Sequence, residues 1–131
     1  MQRALSANAV GIAAYRNAVE AVVRPERMIA MGFVGLHEYL QRAERAFAAG
    51  DGASRAVALD AAFRIVEHLL VALDQNSKAE GVSNLTDLYL FLLDRISRAN
   101  IFNAPELLAE CRPVVENLRE AWTEIADNAD R

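Results

Sequence analysis

The sequence predicts an all-α protein, an antiparallel up-and-down four-helix bundle with a short N-terminal helix or lid segment in front of it. Apolar residues recur at helical spacing through four long stretches, and glycine, proline or polar residues interrupt the pattern between them. The chain has 131 residues, of which 53% are hydrophobic, so one domain with a substantial core is favoured. The turns that begin at Gly50 and Asn100 are short and therefore join antiparallel neighbours. We treat residues 1–131 as one helical-bundle domain.

The N-terminal part of the chain has the weakest helical pattern. Residues 1–8 are small and polar, and we expect them to be disordered. Apolar residues then recur on one side of a helix, namely Ile12, Tyr15 and Val19. Pro25 ends this pattern because the residue before a proline avoids the helical conformation. The sequence thus predicts a short, marginal helix over residues 9–23 and the bundle over residues 25–127.

Pro25 begins the first long helix, which is predicted to end near Ala49. Proline fits the first turn of a helix, and Gly50 supplies the positive φ that commonly ends one. The apolar positions of this helix are Ile29, Phe33, Leu36, Leu40, Ala43 and Phe47. Gly32 and Gly35 lie inside it at a cost of about 1 kcal/mol each relative to alanine. We expect a close helix contact on their side to compensate; simple tolerance of the glycines is the alternative.

The second long helix is predicted from about Ala53 to Gln75, and its apolar surface is wide. Two adjacent stripes run along it, Leu59, Phe63, Val66, Leu70 and Leu73 beside Ala58, Ala62, Ile65, Leu69 and Ala72. A stripe of this width contacts two neighbouring helices. Residues 76–83, which include Gly81, form the polar connector that follows.

The stretch from Asn84 to Trp122 is predicted to form two antiparallel helices against which the rest of the chain packs. Asn84 is a good N-cap, so the first of these helices should begin at Leu85. Its core face follows at helical spacing and consists of Leu85, Leu88, Tyr89, Leu92 and Ile96.

Asn103 and Pro105 predict the start of the last helix, as its cap and as a proline in its first turn, and Glu106 completes a capping box. The apolar residues of this helix recur at heptad spacing: Leu108, Cys111, Val115, Leu118, Trp122 and Ile125. We therefore expect Trp122 to be largely buried. Pro113 falls inside the helix and is expected to bend it.

The composition argues against a nucleic-acid partner and against insertion into a membrane. The 18 acidic residues and 14 Lys and Arg give a formal net charge of -4, which provides no positive field for a polyanion. The longest uncharged run, Ala4 to Tyr15, is about half a membrane span, and Ser6 and Asn8 interrupt it. The single cysteine, Cys111, cannot form an internal disulfide. We therefore expect a cytoplasmic protein.

No constellation of residues predicts catalysis, a metal site or a cofactor site. His37 and His68 lie on different helices, and neither has the glutamate three residues earlier that metal sites in bundle cores use. Neither is followed by the lysine and glycine found at the histidine of phosphotransfer bundles. Cys111 lies on the apolar seam, where a small buried hydrophobe is expected rather than a nucleophile. We expect a protein that is not an enzyme and that needs no cofactor.

The helix predicted from Leu85 is apolar on more than its core face. Leu90, Phe91 and Leu93 make its middle apolar nearly all round, which a surface helix of a small bundle does not need. Something else must cover these side chains. A bound partner segment, the N-terminal part of the chain and a second copy of the chain are the alternatives.

Six short motifs, in their order and spacing, resemble the flagellin export chaperone family FliS. They are Gly11-Ile12-Ala13-Ala14-Tyr15, Arg24-Pro25-Glu26-Arg27-Met28-Ile29, Arg42-Ala43 through Gly50-Asp51, Asn84-Leu85 through Leu88-Tyr89, Arg98-Ala99-Asn100, and Leu118-Arg119 through Trp122. The resemblance spans residues 9–125 and implies a cytoplasmic four-helix bundle. The chain departs from the family pattern at Val34 and Leu90, where an aliphatic residue replaces the usual acid.

The resemblance implies a chaperone that binds the disordered C-terminal region of flagellin, prevents its premature polymerisation and assists its delivery to the flagellar type III export apparatus. Expected partners are therefore the flagellin C-terminal segment and components of the export apparatus, and a monomer or weak homodimer is expected. A phosphotransfer-like signalling module, a purely structural oligomer and a chaperone for another client are the alternatives.

The predicted client-binding residues come from two sources. Ile12 and Tyr15 match family positions associated with client handling. Leu90, Phe91 and Leu93 are added because they are the surplus apolar side chains of their helix. The poor intrinsic helicity around Ile12 and Tyr15 further suggests a detachable lid, which rests in an apolar groove and makes way for the client.

Overall fold

The computed structural model of the chain describes residue 11, residues 24–73 and residues 81–131. In this part of the chain it contains four α-helices and no strand, which confirms the all-α prediction. The helices are α1 (Pro25–Ala49), α2 (Gly52–Ala72), α3 (Val82–Ile101) and α4 (Glu106–Ala129). The predicted disordered start and, apart from residue 11, the predicted helix over residues 9–23 lie outside the described residues.

The four described helices form a closed ring of neighbours. Helix α1 packs on α2 and α4, and α3 packs on the same two helices, while the backbones of the diagonal pairs do not come into contact. The diagonal is bridged by side chains, since the rings of Phe33 and Tyr89 lie 6.1 Å apart between their centroids. This arrangement confirms the predicted four-helix bundle.

Helix α1 has the predicted limits. It begins at Pro25 and ends at Ala49, and Gly50 follows with a left-handed φ of 68°. The backbone N–H of Asp51 donates to the carbonyl of Ala46 at 2.9 Å and so closes the last turn. The Asp51 carboxylate then caps α2 by accepting a hydrogen bond from the Ser54 N–H at 3.0 Å. Hydrogen bonds from the Ser54 hydroxyl and N–H lower the pKa of Asp51.

Helix α2 uses both of its predicted stripes. The residues buried along it are Ala58, Leu59, Ala62, Val66 and Leu69, and partly buried apolar residues flank them on both sides. Because α2 packs on α1 with one side and on α3 with the other, the wide apolar surface is explained by two neighbours, as predicted.

The predicted starts of α3 and α4 were wrong, although both helices exist. Helix α3 begins at Val82, because Gly81 takes a left-handed φ of 96° and Leu85 N–H already donates to the Gly81 carbonyl at 2.9 Å. Asn84 is therefore inside the helix. Asn103 is no cap either: its φ is 51°, and its side-chain oxygen accepts a hydrogen bond from Arg55 Nη1 at 2.6 Å. Helix α4 accordingly begins only at Glu106, after Pro105.

The heptad pattern predicted for α4 holds only in its first half. Leu108, Cys111 and Val115 are buried, but Trp122 is only partly buried. The buried residue in the last turns is Ala126, which lies about five turns of an ordinary α-helix after Leu108. Trp122 packs against the core without being fully enclosed by it, so the prediction that this side chain is largely buried holds only in part. Pro113 lies inside α4, as predicted.

The two glycines inside α1 face α2, so the close helix contact expected on their side is with this helix. A methyl group placed on Gly32 would lie 3.5 Å from Leu69 Cδ2, and one placed on Gly35 would lie 3.5 Å from Ile65 Cδ1. Both distances are ordinary van der Waals contacts. The helices are therefore in contact at the glycines, yet they leave room for a methyl group.

Replacing Gly35 by alanine should stabilise the protein. The new methyl group fits against Ile65, and alanine in a helix is favoured over glycine, so the free energy of unfolding should rise by about 0.5–1 kcal/mol. Urea denaturation measures the change. Gly50→Ala is the matched control and should destabilise, because its φ of 68° is unfavourable for any residue with a Cβ. A less stable Gly35→Ala variant would contradict the spacing of α1 and α2 described above.

Candidate functional site

Leu90 and Leu93 lie on the side of α3 that faces α2. Leu90 exposes 50% of its surface, and Leu93 is partly buried against the core. Ser97 follows Leu93 by one turn on the same side of the helix, and it lines a groove together with Phe63 of α2. The seam between α2 and α3 therefore has Leu93 in its wall and Leu90 at its outer edge.

Phe91 lies about 100° around the helix from Leu90 and faces α4 instead. The guanidinium carbon of Arg95 lies 4.6 Å from the centroid of the Phe91 ring. Arg95 Nε donates to Glu110 Oε2 of α4 at 2.8 Å, and Arg95 Nη1 donates to the carboxylate of Asp94. The structure thus brings Leu90 and Leu93 together and separates Phe91 from them. Ile12 and Tyr15, the other two predicted client-binding residues, lie outside the described residues.

The charged groups around Phe91 hold one another in the ionised form. Hydrogen bonds from Arg98 and Arg95 lower the pKa of Asp94. Hydrogen bonds to Asp94 and Glu110 raise the pKa of Arg95. The cluster therefore keeps its charges at neutral pH, and screening by salt rather than protonation is what would weaken it.

Ion pairs between helices are unevenly distributed over the bundle. Arg27 of α1 binds two carboxylates of α4, Asp127 at 2.6 Å and Asp130 at 3.0 Å. Arg95 and Glu110 link α3 to α4. Among the residues that the structure describes, no ion pair links α2 to α1 or to α3. The two seams beside α2 are therefore held mainly by apolar contact.

A groove of about 430 Å³ lies between α1 and α4, lined by apolar as well as charged side chains. His37 Nε2 lies 3.8 Å from Glu116 Oε1 across it, and Glu44 forms a second cross-helix pair with Arg112. Acidic and basic side chains, Glu44 and Glu116 beside Arg45 and Arg112, both line the groove, so it presents no set of like charges for an anion or a cation. Its pairs tie α1 to α4.

Two exposed apolar residues that the sequence reasoning missed lie at the turn between α3 and α4. Ile101 exposes 70% of its surface and Phe102 67%. The signal in the sequence was an Ile-Phe pair beside the turn residue Asn103, at a point where the helical pattern of core residues had ended. Arg95 was also missed as a contact of Phe91, although the two are four residues apart and hence neighbours on a helix.

The described residues contain no group of three or more His, Cys, Asp and Glu side chains that could hold a metal ion. His68 is exposed on α2, away from His37. None of the described helices is long and apolar enough to cross a membrane. What the described surface does offer is apolar side chains beside α2 and α3.

Comparison with known proteins identifies the family. The family described as flagellar protein FliS matches residues 7–129. The flagellar secretion chaperone FliS of Salmonella typhimurium is 34% identical over 126 residues, which cover 92% of this chain and 93% of the relative. The proteins of the same name from Escherichia coli and Campylobacter jejuni are 31% and 27% identical, over 76% and 88% of this chain and 74% and 90% of their own lengths. The chain belongs to the FliS family.

The FliS match agrees with the resemblance drawn from the six sequence motifs. It covers all four helices and also the residues before α1 in which Ile12 and Tyr15 lie. The two positions where this FliS-family chain departs from the usual acid both lie on the surface, since Val34 exposes 49% and Leu90 50%. The departures therefore change the surface of the bundle and leave its core intact.

Cys111, the single cysteine of this FliS-family chain, packs as part of the core. It is fully buried, and its Sγ–H donates a weak hydrogen bond to the Leu107 carbonyl at 3.6 Å. Burial, the largest cause, raises the pKa of Cys111 from 9.0 to about 12. The thiol is therefore inert in the folded protein, as a residue of the apolar seam should be.

Cys111 should react with Ellman's reagent only when the chain unfolds. At pH 8 we expect the native thiol to react roughly a thousandfold more slowly than the unfolded one, because both its access and its ionisation are suppressed. Since folding favours the neutral thiol, stability should also fall as the pH rises above 9.0. The rate of Cys111 modification, measured with and without urea, gives the ratio of the two reaction rates. Equal rates would contradict the buried position.

Proposed function

We propose that this chain is a cytoplasmic export chaperone that binds the disordered C-terminal region of flagellin and prevents its premature polymerisation. In the same proposal it assists delivery of flagellin to the flagellar type III export apparatus. Membership in the FliS family supports the proposal, because the relatives compared above are named flagellar secretion chaperones. The proposed client-binding residues are Ile12, Tyr15, Leu90, Phe91 and Leu93.

The observation that carries the proposal is the exposure of Leu90. Its neighbours Tyr89 and Leu92 are fully buried, so the core of α3 is complete without it. A half-exposed leucine stabilises the free protein little and gains most when another apolar surface covers it. A disordered client that carries apolar faces for a later assembly needs such cover.

The mode of binding that fits these surfaces is a client helix laid along a groove. Leu90 and Leu93 are one turn apart on the seam between α2 and α3, and Phe63 of α2 contributes a partly buried ring to the same seam. No ion pair between α2 and α3 among the described residues has to break for an apolar helix to pack there. Phe91 would provide a second contact on the α4 side.

Ile12 and Tyr15 enter the proposal through the family resemblance. We propose that residues 9–23, in which they lie, cover the client groove in the free protein and give way to flagellin. Such competition lowers the apparent affinity by the fraction of molecules in which the groove is open. It also keeps the groove from binding a second copy of the chain.

Leu90→Gln should weaken binding of a flagellin C-terminal segment about five- to tenfold, as expected when one half-exposed leucine loses its apolar cover. Isothermal titration measures the affinity, and urea denaturation should show a change in stability within about 0.5 kcal/mol, because the site is on the surface. Val57→Gln is the matched control, since Val57 exposes 70% of its surface on α2 near α1. It should bind like the wild type.

Two results would count against this assignment. Equal losses for Leu90→Gln and Val57→Gln would point to a general effect of surface polarity. A wild-type protein that shows no affinity for the flagellin segment would remove the proposed client altogether.

If residues 9–23 only compete with the client, deleting residues 1–15 should tighten binding of the flagellin segment; if Ile12 and Tyr15 also touch the client, the deletion should weaken it. The deletion should also promote self-association, because it bares the apolar groove. Titration and sedimentation measure the two effects. Hydrogen exchange of residues 9–23 that is unchanged by the client would contradict the competition.

A further inference from the structure

Phe91 is the one aromatic residue among the three proposed client-binding residues on α3, and a charged group lies over its ring. The Arg95 guanidinium carbon lies 4.6 Å from the ring centroid, within the range in which the positive charge is attracted to the π-face. Phe91 is also partly buried against the core. The free protein therefore keeps the ring face of Phe91 closed, whereas Leu90 stays half-exposed.

The position of Arg95 is fixed by carboxylates on two helices. Its Nε donates to Glu110 of α4 at 2.8 Å, and its Nη1 donates to Asp94 of α3. Its side chain is 32% exposed, so water and salt reach the cluster. Arg98 binds the same Asp94 at 2.9 Å, but it lies over no described ring.

We propose that Arg95 is a positioning residue that closes Phe91 in the free protein and moves off the ring when a client binds; this inference rests on the proposed function. An apolar client side chain takes the place of the guanidinium on the ring. The Arg95 guanidinium stays paired with Asp94 and Glu110 but no longer lies over the Phe91 ring.

The contact between Arg95 and Phe91 that covers the ring in the free protein is electrostatic, whereas the client contact that would replace it is apolar. An exposed cation–π contact changes an equilibrium by about two- to fivefold, which sets the cost of opening Phe91. Sodium chloride screens the pairs of Arg95 with Asp94 and Glu110 and so favours the open ring. The seam between α2 and α3 has no ion pair between its two helices among the described residues, so salt should change binding there less.

Binding of a flagellin C-terminal segment to charge-neutralised variants tests the proposal. Arg95→Gln should bind about two- to fivefold more tightly than the wild type at low salt, and the difference should shrink as sodium chloride is added. Arg98→Gln is the matched control: it removes the same charge and also a partner of Asp94, and it should bind like the wild type. Glu110→Gln should act in the direction of Arg95→Gln, and combining the two should add nothing.

The Nε–Hε signal of Arg95 in the ¹⁵N-labelled wild type gives a second readout. The Phe91 ring should shift the Hε resonance upfield in the free protein, with Phe91→Leu as the reference without a ring. Adding the flagellin segment should remove the upfield shift.

Three outcomes would overturn the inference alone: unchanged or weaker binding by Arg95→Gln, equal effects of Arg95→Gln and Arg98→Gln, or client binding that leaves the shift in place. Absence of any binding by the wild type would instead refute the proposed function, and this inference would fall with it.

Discussion

The contact between Phe33 and Tyr89 on the axis of the bundle is the constraint on which the rest of the packing depends. The two rings come from diagonal helices, are fully buried, and lie 6.1 Å apart at an angle of 47°. They pack against each other across the space that the diagonal backbones leave open, so side chains rather than backbones join the diagonal helices. Towards the two short turns four alanines, Ala43, Ala46, Ala58 and Ala99, enter the core beside the buried Leu59 and Leu108.

Because the core is apolar, the ion pairs between helices lie at the surface of the bundle. They are unevenly distributed, so the contacts between neighbouring helices differ in how polar they are. Helix α4 is tied to α1 by Arg27 and to α3 by Arg95, whereas the described part of α2 has no ion pair to either neighbour. An apolar segment that packs beside α2 competes only with apolar contacts. One that packs beside α4 must also displace a charged side chain, as the cover of Phe91 by Arg95 illustrates.

The sequence predicted the features that depend on local chemistry. Pro25 and Gly50 limit α1 as expected, because a proline in the first turn and a left-handed glycine act on their own helix. Asn84 and Asn103 misled the prediction, because a residue able to cap a helix does so only where the chain leaves it free. Gly81 begins α3 earlier, and Asn103 accepts a hydrogen bond from Arg55 of α2, a partner that the local sequence does not reveal.

The candidate site was predicted by residue type but not by arrangement. The run from Leu88 to Leu93 showed that α3 has more apolar side chains than its core needs, and Leu90 is indeed half-exposed. Which side each residue takes depends on the neighbouring helices. The 100° step between residues sends Leu93 towards α2 and Phe91 towards α4, so these two contribute to core packing as well as to the surface.

A substitution has different effects at residues that pack against the core and at residues that are half-exposed. Phe91 and Leu93 pack against the core, so a change at either position alters stability together with any contact to a partner. Leu90 and Val34 each expose about half of their surface, and the resemblance to the FliS family implies an acid at both positions. At such positions an aliphatic residue adds little to folding and removes a charge from the surface. Differences between this chain and its relatives in what the bundle binds can therefore arise at Leu90 and Val34 while Phe33 and Tyr89 keep the bundle unchanged.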